Sequence, residues 1–157
     1  MRYLFPLFLL LLLLVPQGGE ACFGPKLYLG IGSDEGSDRL IAEVVSLYIK
    51  EKTGTEVVLT SLAGLAPTAA LQQEKVDLAL SSETLAEAVL ALPELRLHLL
   101  SGERPRNDLQ FTTVLPALAK LAQRLPTVDL APFVAAVAAG EPAAGVARRL
   151  LSGQRWI

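Results

Sequence analysis

Apolar and polar positions first organise this chain between Leu27 and Ile49, LYLGIGSDEGSDRLIAEVVSLYI. Leu27, Tyr28, Leu29 and Ile31 form a short apolar run that predicts a strand covered on both faces. Gly30 and Gly32 allow close backbone approach, and residues 33–38 carry turn and N-cap chemistry. Leu40, Ile41, Val44, Val45 and Tyr48 then recur at helical spacing, with Arg39, Glu43 and Lys50 off that face. Thr53-Gly54 ends the helix, and residues 56–60 (EVVLT) predict a second strand. The loop 61–68 leads into a short helix with Pro67 in its first turn, and residues 76–80 (VDLAL) predict a third strand. Ser81, Ser82 and Glu83 make another turn; Thr84 and Glu87, at capping-box spacing, predict a helix to Leu92, ahead of Pro93. Leu95, Leu97 and Leu99 alternate with Arg96 and His98, the pattern of a half-buried strand. Residues 101–108 read as a loop. Beyond it Leu115, Leu118, Leu121, Ala122 and Leu125 form one helical stripe, and Asp129 is placed to cap a helix over 130–139. Gly140 stops that helix, Pro142 opens a last one through Val146, Leu150 and Leu151, and Trp156 is expected to pack back on the core.

This alternation predicts an α/β fold: a mostly parallel sheet with right-handed crossovers, flanking helices and a helical C-terminus. Three turns, 32–37, 61–68 and 81–84, then meet at one edge of the sheet, where ligands of open parallel sheets are bound. The sequence divides into a leader over 1–21 and one domain over 22–157, made of a βα core (27–100), a loop (101–112) and C-terminal helices (113–157). The leader reads as a secretory signal peptide: Arg2, an apolar run from Leu7 to Val15, a Pro-Gln-Gly-Gly break, and small residues around Ala21. The run is shorter than the roughly 20 apolar residues of a membrane span. Cys22 follows the expected cleavage point, the position lipidated in bacterial lipoproteins. Gly19 and Glu20 depart from that signal, so the expectation is a soluble periplasmic product, with a lipid anchor at Cys22 as the alternative.

Cys22 is the sole cysteine, so no intrachain disulfide forms and stability rests on the core. The net charge of -2 gives no electrostatic case for nucleic acid. Gly30-Ile31-Gly32-Ser33-Asp34-Glu35-Gly36 approaches a dinucleotide fingerprint, but Leu59, Thr60 and Ser61 stand where the second strand would need an acid. Asp34, Glu35 and Asp38 crowd a helix start that a phosphate would require to be basic or neutral. Acids there complement the helix dipole, the reading preferred for Asp38; Asp34 and Glu35 are candidates for attracting a cation. His98, the one histidine, sits in a leucine-alternating strand and has no triad partner at a suitable spacing, so no enzyme is expected. One His and one Cys supply no metal site, and no cofactor is expected. The candidate ligand contacts are Ser33, Asp34, Glu35, Ser37, Gly64, Ser81 and Ser82.

Three stretches together resemble a known family. GSDEGSDRLIAEVVSLYIKEKTGTEVVL is similar to the opening of the substrate-binding proteins of quaternary-amine (glycine betaine, choline, carnitine) ABC transporters. ALQQEKVDLALSSETL is similar to their "I-D-L" segment, and LPALAKLAQRL with GEPAAGVARRLLSGQRWI resembles their closing helices. The resemblance implies a type II periplasmic-binding-protein fold and a non-enzymatic receptor for a small polar or cationic solute, partnered by an ABC permease. Two departures stand out. Only residues 85–114 separate the first lobe from the closing helices, so the second lobe is missing and would have to come from another chain or a dimer mate. Ala79-Leu80-Ser81-Ser82-Glu83-Thr84 replaces the family's tyrosine-bearing box, and of the tyrosines and tryptophan beyond the leader, Tyr28 and Tyr48 read as core. Binding is accordingly expected to be weak. The alternative expectation is a periplasmic interaction or scaffold module that docks through the same sheet edge or through the Ala-rich helices over 131–147.

Overall fold

The computed structural model describes residues 24–33, 36–83 and 87–157. The predicted leader, Cys22, Asp34 and Glu35 lie outside the described residues. Five strands form one mixed sheet: β1 (Lys26–Ile31), β2 (Glu56–Ser61), β3 (Leu78–Ser81), β4 (Leu90–Leu92) and β5 (Leu97–Ser101), in the order β2-β1-β3-β5-β4. The helices are α1 (Gly36–Thr53), α2 (Pro67–Gln72), α3 (Arg104–Asn107), α4 (Val114–Arg124), α5 (Ala131–Ala138) and α6 (Ala143–Gly153).

Alternation along the strands assigns two unequal layers. Leu27, Leu29, Ile31, Val57, Leu78, Leu80, Leu97 and Leu99 face one side and are buried against Leu40, Ile41, Val44, Val45 and Tyr48 of α1. The C-terminal helices extend this core with Leu118, Leu121, Val146 and Leu150, each worth about 2 kcal/mol for its burial. The opposite face has a small separate cluster, Leu62, Ala70, Val76 and Ala79, beneath the six-residue α2. Tyr28, expected in the core, lies on this thinly covered side and is 41% exposed, whereas Tyr48 is buried as expected. Gly30 also faces this side. A Cβ there would stand 2.6 Å from Leu62 Cδ2 and 3.3 Å from Val76 Cγ1, so this glycine makes room for the loop after β2.

Helix ends follow the local chemistry that the residues prescribe. Gly140, with φ +96°, ends α5, and Glu141 N–H returns to the Ala136 carbonyl at 3.1 Å. Asp129 accepts the Ala131 N–H at 3.0 Å, and Trp156 packs back on the core as expected.

The expectation of a mostly parallel sheet needs correction. β1 pairs in parallel with β2 and β3, but β5 is antiparallel to both β3 and β4. The helix expected up to Leu92 is replaced at its end by β4, where Leu90 and Leu92 are buried and Ala91 is exposed. A two-residue period was hidden in an apolar run that also suits a helix. Val89 N–H donates to the Leu99 carbonyl at 2.8 Å, so β5 recruits this segment as an edge strand. His98, expected at a half-solvated face, is buried too, and so is Leu100. The expected 101–112 loop contains α3 and a 3₁₀ turn, Leu109–Phe111.

One buried acid ties the base of the sheet together. Asp77, 4% exposed, accepts the Tyr28 N–H at 2.8 Å and two bonds from Arg104 Nη1 at 2.9 and 3.1 Å. Its own N–H donates to the Tyr28 carbonyl and its carbonyl accepts the Gly102 N–H, both at 2.8 Å. Asp77→Ala strands the Tyr28 amide and leaves Arg104 with only Asp108 at 3.7 Å as an acidic partner, and is expected to cost about 1–3 kcal/mol in urea unfolding. Asp77→Asn, which keeps an acceptor, is expected to lose roughly half of that. Gly30→Val is expected to cost about 1–3 kcal/mol through crowding of Leu62 and Val76, read by the same unfolding curves.

Candidate functional site

Parallel pairing places the ends of β1, β2 and β3 at one level: Gly30 lies opposite Thr60 and Ala79, and Ile31 opposite Ser61. The chain therefore leaves β1, β2 and β3 from one rim. β4 also ends at this rim and β5 starts from it, since Leu92 pairs with Leu97 and Ser81 with His98. The turn between them is four residues long: a 3₁₀ turn, Pro93–Leu95, then Arg96 at φ +51°.

The rim carries a groove of about 790 Å³ between the start of α1 and the α5–α6 junction. Ser33, Ser37 and Asp38 line one wall, and Val137, Gly140 and Glu141 the other. Asp38 lies in the first turn of α1, where the helix dipole favours its charge. Burial nevertheless pushes its carboxyl above the ordinary range, opposed by hydrogen bonds from the Ser37 hydroxyl and the Ser33 N–H. The other charges at the groove are paired: Glu141 with Arg149 at 2.8 Å, and Arg39 with Glu43 at 2.7 Å.

The remaining sequence candidates do not join this groove. Gly64, at φ +83°, lines a separate concavity of about 480 Å³ on the α2 side, with Ser61, Leu62 and Lys75. Ser81 is buried on that same side by strand alternation, and its hydroxyl accepts the Glu83 N–H at 3.0 Å, a local turn bond. Ser82 is exposed beside it. Of the described candidates, only Ser33 and Ser37 share a wall. The groove's opposite wall was absent from the sequence reading. Gly140 signalled a helix end, but nothing local in the chain says which turn that end will face.

The groove offers hydroxyls, carboxylates and a short apolar wall, which suits holding a small polar or cationic solute. His98 is buried in β5 between Ser81 and Ala91 and lies outside the groove. Among the described residues no group of three or more His, Cys, Asp or Glu is placed to hold a metal ion, and no helix is long and apolar enough to cross a membrane. No protein family, curated protein or solved structure matches the chain.

The raised Asp38 carboxyl sets a pH dependence. Between the ordinary carboxyl value and the raised one, the folded chain holds a proton that the unfolded chain has released. Stability therefore falls as pH rises through that window. Asp38→Asn keeps an acceptor for the Ser33 N–H and removes the buried charge. Its melting temperature is expected to exceed the parent's at neutral pH and to converge with it in acid; an equal difference at both would refute the assignment.

Proposed function

We propose that this chain is an exported, non-enzymatic solute-binding lobe of the type II periplasmic-binding-protein kind, related to the receptors of quaternary-amine ABC transporters. The observation that carries the reading is the hairpin at the rim. A two-lobed receptor must send its chain out of the first lobe and back at the edge that faces the cleft. β4 leaves and β5 returns at that edge, side by side and antiparallel, and Pro93–Arg96 closes the gap in four residues. A second lobe inserted there would complete a clamshell over the rim groove; in this chain the groove stays open.

On this reading the Ser33–Ser37 turn, Asp34 and Glu35 included, receives a small polar or cationic solute such as a betaine or choline. Without a closing lobe the solute buries far less than the 70–90% of surface typical of real pockets, so affinity is weak unless a dimer mate, another chain or a permease covers it. The protein acts in the periplasm, as a free product or held by a lipid on Cys22. A second reading, docking of a protein partner, is favoured by α5. Its sequence, APFVAAVA, is wholly apolar; Phe133, Val134, Ala136 and Val137 pack on the core, while Ala131, Pro132, Ala135 and Ala138 stay exposed.

Calorimetry with choline, glycine betaine and carnitine tests the first reading. Expected is a saturable response at millimolar solute that Asp34→Ala or Ser37→Ala weakens by about tenfold, the effect of one lost charged contact. Absence of any response, together with a stable dimer or a co-purified partner lost on Ala135→Asp, transfers the function to α5.

A further inference from the structure

A further cavity, of about 470 Å³, opens at the other end of the sheet, on the α2 side. It exists because α2 stops after six residues. Glu74, in the left-handed region at φ +52°, turns the chain away, and Lys75 N–H closes on the Ala70 carbonyl at 3.0 Å. The end of β5 is covered only by the last turn of α2. Gly102 keeps the floor low: a Cβ there would stand 3.2 Å from the Asp77 carbonyl oxygen and 3.3 Å from Leu71 Cδ2. Leu71 and Leu100 supply apolar floor. Around it stand three carboxylates from three separate segments: Glu74 after α2, Glu87 before β4, and Glu103 before α3. One cation, Arg106, shares the wall.

An apolar floor inside a net negative ring complements a short aliphatic body carrying positive charge. The methylenes lie on the leucines, and the ammonium stays at the mouth, among the exposed carboxylates, where water is displaced only in part. We propose that this cavity binds small aliphatic amines, independently of the rim groove. The two sites lie at opposite ends of the β strands, one beyond Ile31 and Ser61, the other beside Ser101 and Gly102.

The test is a nuclear magnetic resonance titration of the full mature chain with 1,4-diaminobutane and n-butylamine, with butyrate and butanol as probes of opposite and zero charge. The expected result is a saturable shift of the Leu71, Ser101 and Gly102 amides with both amines and a weaker one with butanol. Butyrate is expected to leave these amides unmoved. Replacing the three exposed acids together (Glu74→Gln, Glu87→Gln, Glu103→Gln) is expected to weaken amine binding by about tenfold, the sum of three solvent-exposed ion pairs. Gln72→Trp, which places an indole in the mouth, is expected to abolish it, while Ser37→Ala leaves it intact. The proposal is overturned by no saturable shift, by butyrate binding as well as the amines, by an undiminished response in the triple variant, or by loss in Ser37→Ala. The last outcome would move amine binding to the rim; the others leave the rim reading standing.

Discussion

The fold depends on one buried carboxylate finding all its donors. Asp77 joins β1, β3 and β5 through both its backbone groups and its side chain, at the end of the sheet where no turn links those strands directly. Arg104 completes the arrangement. It salt-bridges Asp77, and its guanidinium lies 5.3 Å from the centre of the Phe111 ring, which is fully buried. The sheet is thereby registered against the segment that leads into α4. A charge in this position is tolerable only while paired. The same side chain sets where β3 starts, at Leu78, although the apolar run begins at Val76. At residue 77 the Tyr28 N–H is taken by the Asp77 side chain and not by a backbone carbonyl, so the regular ladder begins one residue later.

A second constraint is the inequality of the two sheet faces. The α1 side is covered by the long helix and by α4, α5 and α6, whereas the apolar cover described on the other side is the small cluster beneath α2. Thin cover leaves Tyr28 in solvent and demands a glycine at position 30 where the loop after β2 presses on the strand. It also leaves concavities on that side. The same division separates the candidate residues at the rim: Ser33 and Ser37 belong to the thick side, Gly64 and Ser81 to the thin one. A ligand resting on the rim meets one set or the other.

The proposed function and the further cavity follow from this architecture in different ways. The rim groove is a consequence of topology, since parallel strands deliver their loops to one end, and the short β4–β5 turn leaves that end uncovered. The basal cavity is a consequence of brevity, since a six-residue helix cannot roof a sheet of this width. In both places the polar groups that line the walls come from segments far apart in the chain, and only packing brings them together.

The sequence by itself determined much of the local structure. The apolar run of β1, the amphipathic stripe of α1, Pro67 at the start of α2, Gly140 and Pro142 between α5 and α6, and Asp129 as a cap were all legible, because periodicity, capping and turn chemistry act over a few residues. Tertiary structure decided the rest. Whether residues 90–92 become helix or strand depended on an open edge of β5, and the direction of β5 on the four-residue turn Pro93–Arg96. The burial of His98 and the partners of Asp77 were decided at long range as well. So was the wall that α5 and α6 raise against Ser33 and Ser37. An apolar spacing tells a segment which of its sides must leave water; it carries no information about which distant segment will be there to receive it.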